Sequence, residues 1–463
     1  MYKSNLILET DSYKLTHWDM LPDGTEKVYS YLEARKGAKF PYTLFFGLYP
    51  YLNNLIDNFP TMKDLEEASL LSSFHFGNNQ VFNRKDWEEI LKLGYFPVKI
   101  KAVPEGSVIP ISNVLMSIVN TDKRFPWITN ALESYLTHIW YPITVATYSR
   151  VTKELISRFL NETSDDFSSL PFMLHDFGYR GTTDPFAAAI GGAGHLINFL
   201  GTDTLPAMKL AHDFYDANYN GLAYSVPASE HSIMTSLGPV GESQIVDNLI
   251  QKNPTGILSV VADSYDIYNF VSKYLLERRD AINFRNGTFV VRPDSITDRH
   301  PTPASLTLWI VEELGNIFGF ECNSKGYKVL SPKVRVLWGD GIDLDGIEAI
   351  LNTLKTNGWA ANNMVFGMGG GLLQKHNRDT QRFVFKASAN LRNGQWVDIY
   401  KKPIDMSKAS KRGKLALSLE GKNYRTIESL NYDFKHDELV TVYEDGKLSN
   451  IPTFSEIRER AKL

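Results

Sequence analysis

The chain has 463 residues, of which 43% are hydrophobic and 12% aromatic, and its formal net charge is −4. That length and apolar content supply a large core spread over two or three domains and exclude an intrinsically disordered chain. The slightly negative charge excludes a general nucleic-acid binder, which needs a basic surface to displace counterions from phosphates.

The opening segment, MYKSNLILETDSYK, reaches Glu9 and Asp11 without the apolar core or small-residue cleavage site of a secretory signal. Residues 108–119 form one of the longest apolar runs, but Pro110, Ser112, Asn113 and Ser117 interrupt it, so a bilayer span is not expected. A lone Cys322 can form no internal disulfide. These features together predict a cytoplasmic protein without membrane association.

From 98 to 120, VKIKAVPEGSVIPISNVLMSIVN alternates apolar and polar residues around Pro-Glu-Gly, the pattern of short antiparallel strands. The middle of the chain, from about 171 to 374, changes to short apolar runs alternating with amphipathic stretches, the signature of βα units around a parallel sheet. FMLHDFGYRG from 172 opens this series. ILSVVA (257–262) leads into Asp263 and the helix-like SYDIYNFVSKYLLERR. TFVVR (288–292) leads into Pro293-Asp294 and then a helix with Leu306, Ile310, Leu314 and Ile317 on one face. VRVLW (334–338) ends in Gly339-Asp340-Gly341 before a helix carrying Leu344, Ile347, Leu351 and Leu354, and MVF (364–366) ends in GMGGGLLQK. Near the C-terminus, Asp445-Gly446 between strand-like residues predicts a hairpin turn. The expected architecture is an irregular (β/α) barrel over 151–390, with a sheet-rich α+β domain made from 1–150 and 391–463.

In each central unit the charged or Gly-rich cluster directly follows the strand. Ligands of parallel α/β folds bind at the carboxyl ends of strands, so Asp263, Arg292, Asp294, Asp340 and Gly369 to Gly371 are expected to converge on one mouth. The run from Gly367 to Gly371 lacks the last glycine of a dinucleotide loop and the Lys-Ser/Thr of a Walker loop. It reads equally as a phosphate cradle or as a tight strand-to-helix turn, with Lys375 and Arg378 favouring phosphate. Arg292 and Asp294 fit a phosphate and a sugar diol, or an internal ion pair. Six cations between Lys401 and Lys414, namely Lys401, Lys402, Lys408, Lys411, Arg412 and Lys414, face only Asp405. They form either a solvated loop or a phosphate-facing edge. His231 follows a strand-like segment at a helix N-terminus expected to be built on Ser229 and Glu230. The 10 histidines show no zinc-ligand spacing, so no structural or catalytic zinc site is expected, while Asp294 or Asp340 could meet Mg²⁺ through bound phosphates.

The segments TDSYKLTHW, EGSVIP, WYPITVAT, HDFGYRG, NFLGTD, YSVPASEHS, DSYDIYN, VRPDS, NSKGYK, GDGID and FGMGGGLLQK occur in this order across essentially the whole chain. In this the sequence resembles the nicotinamide phosphoribosyltransferase family, the barrel-type (type II) class of phosphoribosyltransferases. The acidic pair leading into Thr/Ser-Gly-Gly-Thr of the other class is absent.

The resemblance implies that nicotinamide and phosphoribosyl pyrophosphate condense to nicotinamide mononucleotide and pyrophosphate. It further implies a homodimer with shared active sites, with Phe177 and Tyr13 of the partner subunit sandwiching the pyridine. Arg180 and Asp203 would meet the carboxamide. Arg292, Asp294, Gly339, Asp340, Gly369 and Gly370 would line the ribose and phosphate site, Arg35, Arg378 and Lys386 would face phosphates, and Ser225 and Ser259 would lie near the nucleotide or histidine. His231 would be phosphorylated by ATP and oriented by Asp263, with Mg²⁺ held mainly through substrate phosphates. Met368 and Val384 stand where animal members of the family carry serine, so hydroxyl contacts there are not carried over. The rival readings are a nicotinate or quinolinate phosphoribosyltransferase, which Asp203 disfavours because a carboxylate base would face another carboxylate, and a catalytically silent metabolite-binding or signalling protein.

Overall fold

The computed structural model describes residues 4–401, 410–421, 423–430 and 436–463. The chain divides into two compact units: Met1–Thr147, Phe214–Asp216 and His376–Lys462 form one, and Tyr148–Asp213 and Ala217–Lys375 form the other, with terminal Leu463. The later boundary falls at 375, where the alternating pattern ends, whereas the expected barrel runs to 390. The difference arises because Phe383–Arg392 is a strand of the first unit, paired along its length with Thr25–Ala34.

The first unit holds a seven-stranded antiparallel sheet drawn from both parts of the chain. Its order is Gln395–Asp398, Phe383–Arg392, Thr25–Ala34, Val114–Asn120, Val98–Ala102, Val440–Glu444 and Lys447–Leu448. Alternation buries Val98, Ile100 and Ala102 and leaves Lys99 and Lys101 partly exposed, as a half-buried strand requires. The expected hairpin turn is present: Asp445 and Gly446 have φ of 47° and 81°, the pair of positive values that a tight two-residue turn demands. Of the strands expected between 98 and 120, Val108–Pro110 leaves this sheet and pairs with Tyr42–Leu44.

The second unit is the βα series. Six parallel strands lie in the order Gly201–Thr202, Leu174–Asp176, Met364–Met368, Val334–Trp338, Phe289–Arg292 and Leu258–Val261. Helix Pro303–Phe318 buries Leu306, Ile310, Leu314 and Ile317, the predicted face, and starts at a capping box on Thr302. Helix Leu344–Thr356 is capped by Asp343 and buries Ile347, Ile350, Leu351 and Leu354. The segment after Asp263 is not the single helix its pattern predicts; a π-helical turn, Phe270–Tyr274, separates Ile267–Asn269 from Leu275–Glu277, and Arg279–Phe284 follows.

A short extended segment closes this sheet into a barrel. Tyr224 bridges Gly201 at one edge and Ala228 bridges Ser259 at the other, both in parallel. Thr202 N–H donates to the Tyr224 carbonyl at 3.0 Å, Ser259 N–H to the Pro227 carbonyl at 2.9 Å and Ser229 N–H to the Ser259 carbonyl at 2.9 Å. The Ser229 hydroxyl then accepts from Val261 N–H at 2.9 Å. Neither edge is left as an open row of donors and acceptors, the condition that a barrel satisfies. No helix of the described residues is long and apolar enough to cross a membrane.

Ser229 is 4% exposed, so its loss leaves Val261 N–H buried without an acceptor. Ser229→Ala is expected to cost about 1–3 kcal/mol, read as a lowered urea midpoint. An unchanged midpoint would contradict the closure.

Candidate active site

All six strands run the same way, and each leads into a residue singled out by the sequence: Phe177, Asp203, Asp263, Arg292 and Asp294, Gly339 and Asp340, and Gly369 and Gly370 follow or finish the strands. Parallel pairing therefore gathers them at one end of the barrel. The closing segment delivers His231 to the same end.

His231 begins helix His231–Met234. The expected cap on Ser229 and Glu230 is not made: Glu230 holds the cap position without a side-chain bond to the helix backbone, its carboxylate accepting instead from the Ser232 hydroxyl, and the Ser229 hydroxyl is committed to Val261. Instead the imidazole is held by its neighbours, with Nε2 at 3.3 Å from Asp294 Oδ2 and 4.0 Å from Asp263 Oδ1, and Nδ1 at 3.1 Å from Ser264 Oγ. Asp263 also accepts from Asp294 N–H at 3.0 Å and from the Ser295 hydroxyl at 2.5 Å. The histidine side chain is 47% exposed, so this pairing contributes about 0–1 kcal/mol to stability and serves chiefly to orient the ring.

No Arg292–Asp294 ion pair forms among the described residues. Arg292 Nη2 donates to the Ser229 carbonyl at 3.2 Å, while its Nε is buried without a hydrogen-bond partner, a donor available to an anion. Asp340 lies in a turn held by the Trp338 indole N–H, which donates to the Asp340 carbonyl at 2.8 Å. Partial burial, then Asp294 and Asp263, push its carboxyl above the ordinary aspartate range. The mouth is thus short of positive charge on this side.

On the other side lies Phe177, whose N–H donates to the Met368 carbonyl at 3.0 Å. Its ring occupies the space that a side chain at 367 would take: a Cβ on Gly367 would come 1.9 Å from the ring and one on Gly339 3.4 Å. The glycine run therefore has two roles. Gly367 and Gly371 are packing positions, the latter because a Cβ would meet the Ile342 carbonyl at 2.6 Å, whereas Gly370 faces open space. The exposed turn Tyr179–Gly181, which carries Arg180, approaches this run, since a Cβ on Gly181 would lie 3.5 Å from Gly370 N.

Asp203 is exposed, and its Oδ1 accepts from the Ser225 hydroxyl at 2.5 Å. Its N–H donates to the carbonyl of Asp176, a fully buried carboxylate pushed up to about 6, first by burial and also by Asp203. Ser259 is buried and takes part through its backbone, in the closure. Met368 is also fully buried. The roles of Asp176, Ser264 and Gly367 are missing from the sequence reading. A buried polar residue at a strand's last position gives no periodic signal, although the adjacency of Ser264 to Asp263 does.

Tyr13, Arg35, Arg378 and Lys386 belong to the first unit. Tyr13 is 57% exposed on the 3₁₀ turn Ser12–Asp19. Lys386 lies opposite Tyr31, two positions from the Glu33–Val384 pair. Burial, followed by Arg35, pulls its ammonium below the ordinary lysine range, and Lys401 acts in the same sense. Arg35 Nε is itself buried without a hydrogen-bond partner. Lys411 is paired with Glu33 at 2.5 Å, which removes it from the available cations. Lys402, Asp405 and Lys408 of the basic run lie outside the described residues.

Gly367→Ala is expected to cost about 1–3 kcal/mol by overpacking against Phe177, and in a Phe177→Ala background under about 0.5 kcal/mol. Denaturation of the four proteins of this cycle measures both, and equal costs in the two backgrounds would contradict the packing account.

Residues 172–447 match the nicotinate phosphoribosyltransferase (NAPRTase) family, and residues 5–100 match the nicotinamide phosphoribosyltransferase N-terminal domain. The chain is 42% identical to the nicotinamide phosphoribosyltransferase of Xanthomonas campestris pv. campestris, over 99% of this chain and 98% of that one. It is 31% identical to that of Acinetobacter baylyi, over 99% and 97%. Among solved structures, a nicotinate-nucleotide pyrophosphorylase from Pyrococcus furiosus aligns with a TM-score of 0.61 at 16% identity, covering 100% of this chain and 96% of that one. Human nicotinic acid phosphoribosyltransferase aligns at 0.58 and 14%, covering 98% and 92%. These two likenesses establish the fold. The chain belongs to the nicotinate phosphoribosyltransferase family and, within it, stands with the nicotinamide phosphoribosyltransferases.

Proposed function

We propose that this chain transfers the phosphoribosyl group of phosphoribosyl pyrophosphate to nicotinamide, releasing pyrophosphate and forming nicotinamide mononucleotide, a step that returns nicotinamide to NAD. The reading is carried by the gathering of an aromatic ring (Phe177), an open carboxylate (Asp203), glycines and an unsatisfied arginine at one barrel mouth. The names of the relatives support the choice of base.

In the reaction the bond from the anomeric carbon to pyrophosphate breaks as the pyridine nitrogen bonds to that carbon, so no side chain acts as nucleophile. Phe177 offers a stacking face. Arg180 meets the carboxamide oxygen and Asp203 accepts from its NH₂, with Ser225 fixing one carboxylate oxygen. Arg292 meets phosphate, while Asp294, Gly339, Asp340, Gly369 and Gly370 line the ribose and phosphates. Arg35, Arg378 and Lys386 bind phosphate oxygens. The depressed Lys386 ammonium supports this, because an anion relieves the repulsion from its cationic neighbours.

Asp263, Asp294 and Asp340 fit a divalent cation electrostatically, since burial and then repulsion from Asp294 and Asp263 already raise Asp340. The described residues contain no group of three or more His, Cys, Asp or Glu set to cage a metal ion. Asp294 and Asp340 would therefore face a Mg²⁺ held mainly by substrate phosphates, as that ion favours. When bound, Mg²⁺ neutralises charge on the departing pyrophosphate. ATP is a further substrate: it phosphorylates His231, whose ring Asp294, Asp263 and Ser264 hold in place. The working form is a cytoplasmic homodimer, with Tyr13 of the partner subunit on the open face of the pyridine.

An uncompensated carboxylate placed beside Asp203 costs roughly 3–5 kcal/mol, so nicotinate is a poor substrate. Asp203→Asn is expected to narrow the nicotinamide-to-nicotinate ratio of kcat/KM by tenfold or more, on the order of 1.4 kcal/mol. An unchanged ratio would remove Asp203 from base selection. His231→Ala is expected to abolish stimulation by ATP; stimulation that persists would place the coupling elsewhere.

A further inference from the structure

Asp294 is carried on a loop that is exposed at Ser295, Ile296, Asp298 and Arg299, yet it stands 3.3 Å from His231. The start of this loop is held by Asp263 through the Asp294 N–H and the Ser295 hydroxyl. Farther along, one hydroxyl holds it, beside His300 stacked on Trp309 at 5.8 Å. Tyr268 Oη lies 2.6 Å from Thr297 Oγ1 and 2.8 Å from His300 Nδ1, and His300 N–H donates to Thr297 Oγ1 at 3.0 Å.

These contacts close a ring. His300 N–H donates to the Thr297 hydroxyl oxygen, and the Tyr268 hydroxyl bridges the Thr297 hydroxyl and His300 Nδ1. Burial and then Arg299 hold His300 below its ordinary range, which favours the neutral ring. A return bond from Thr297 N–H to the His300 carbonyl at 3.2 Å tightens the loop further.

Tyr268 is itself fixed. Asp266 accepts its N–H at 2.9 Å, its ring meets Trp309 edge-on at 4.7 Å, and Arg299 lies 5.0 Å from its centroid. It stands on the segment that also carries Asp263, so one segment grips the neighbouring loop at two points with Asp294 beside the first. We propose that Tyr268 is a positioning residue, whose hydroxyl anchors the 293–300 loop so that Asp294 keeps its place beside His231. The inference rests on the reading of Asp294 as part of the reacting site.

The test is Tyr268→Phe in the full-length protein, with Thr297→Ala opening the same ring from the other side. Hydrogen–deuterium exchange is expected to rise in peptides covering 293–302 and to stay unchanged in the remaining strand-end loops. With nicotinamide, phosphoribosyl pyrophosphate and ATP, kcat is expected to fall about tenfold while KM for nicotinamide stays within about twofold. In an Asp294→Asn background the further loss on adding Tyr268→Phe is expected to vanish. Unchanged exchange, or the same tenfold loss in both backgrounds, would overturn the positioning role while leaving the proposed reaction intact. An Asp294→Asn enzyme with undiminished kcat would instead overturn the assignment of Asp294, and the catalytic part of this inference with it.

Discussion

Two edges of a parallel sheet meet on one five-residue strip, and the rest of the site depends on that pairing. Tyr224 pairs with Gly201, bonding to Leu200 and Thr202, and Ala228 pairs with Ser259, which bonds to Pro227 and Ser229; this satisfies both edges and brings the chain to the mouth immediately before His231. A parallel sheet left open would present unpaired backbone groups on each side. Closed, it turns the direction of six strands into a common address for the residues that follow them.

At that address the electrostatics are uneven. Asp263, Asp294 and Asp340 crowd one part of the mouth, and Arg292 keeps a buried donor unsatisfied beside them. Asp263 spends one oxygen on the loop that carries Asp294, leaving Asp294 to meet the imidazole. Opposite, Phe177 rests where Gly367 and Gly339 leave room, and Asp203 presents a carboxylate steadied by Ser225. One side suits phosphates and a cation; the other suits a flat amide. Within the first unit, Lys386 has Arg35 and Lys401 as cationic neighbours.

Much of this was legible in the sequence because strand ends are marked by abrupt changes of residue type. The runs ending in Asp263, Arg292, Gly339-Asp340 and the glycine cluster are true strands, and the face of helix Pro303–Phe318 was predicted residue by residue. Three features were not legible. The closing strip, YSVPA, contains Pro227 and forms only isolated bridges, so it carries no period of two. The π-helical turn at Phe270–Tyr274 breaks a pattern that reads as one helix. The place of Phe383–Arg392 in the first unit depends on its pairing with a strand some 360 positions earlier, information that no local window contains. For the site, sequence gave the residue types and the resemblance their roles, but the allotment of Ser229 to Val261 and of Asp294 to His231 follows from three-dimensional packing alone.

The most direct test of the central claim is a pyrophosphate-release assay on the purified protein with phosphoribosyl pyrophosphate and Mg²⁺, supplying nicotinamide and nicotinate in separate reactions. Release with nicotinamide at a kcat/KM hundreds-fold or more above that with nicotinate, from the roughly 3–5 kcal/mol cost of an uncompensated carboxylate, is the expected result. Release mainly with nicotinate would keep the fold and the reaction class and contradict the role given to Asp203, whereas release with neither base would contradict the assignment of the mouth as a phosphoribosyl transfer site.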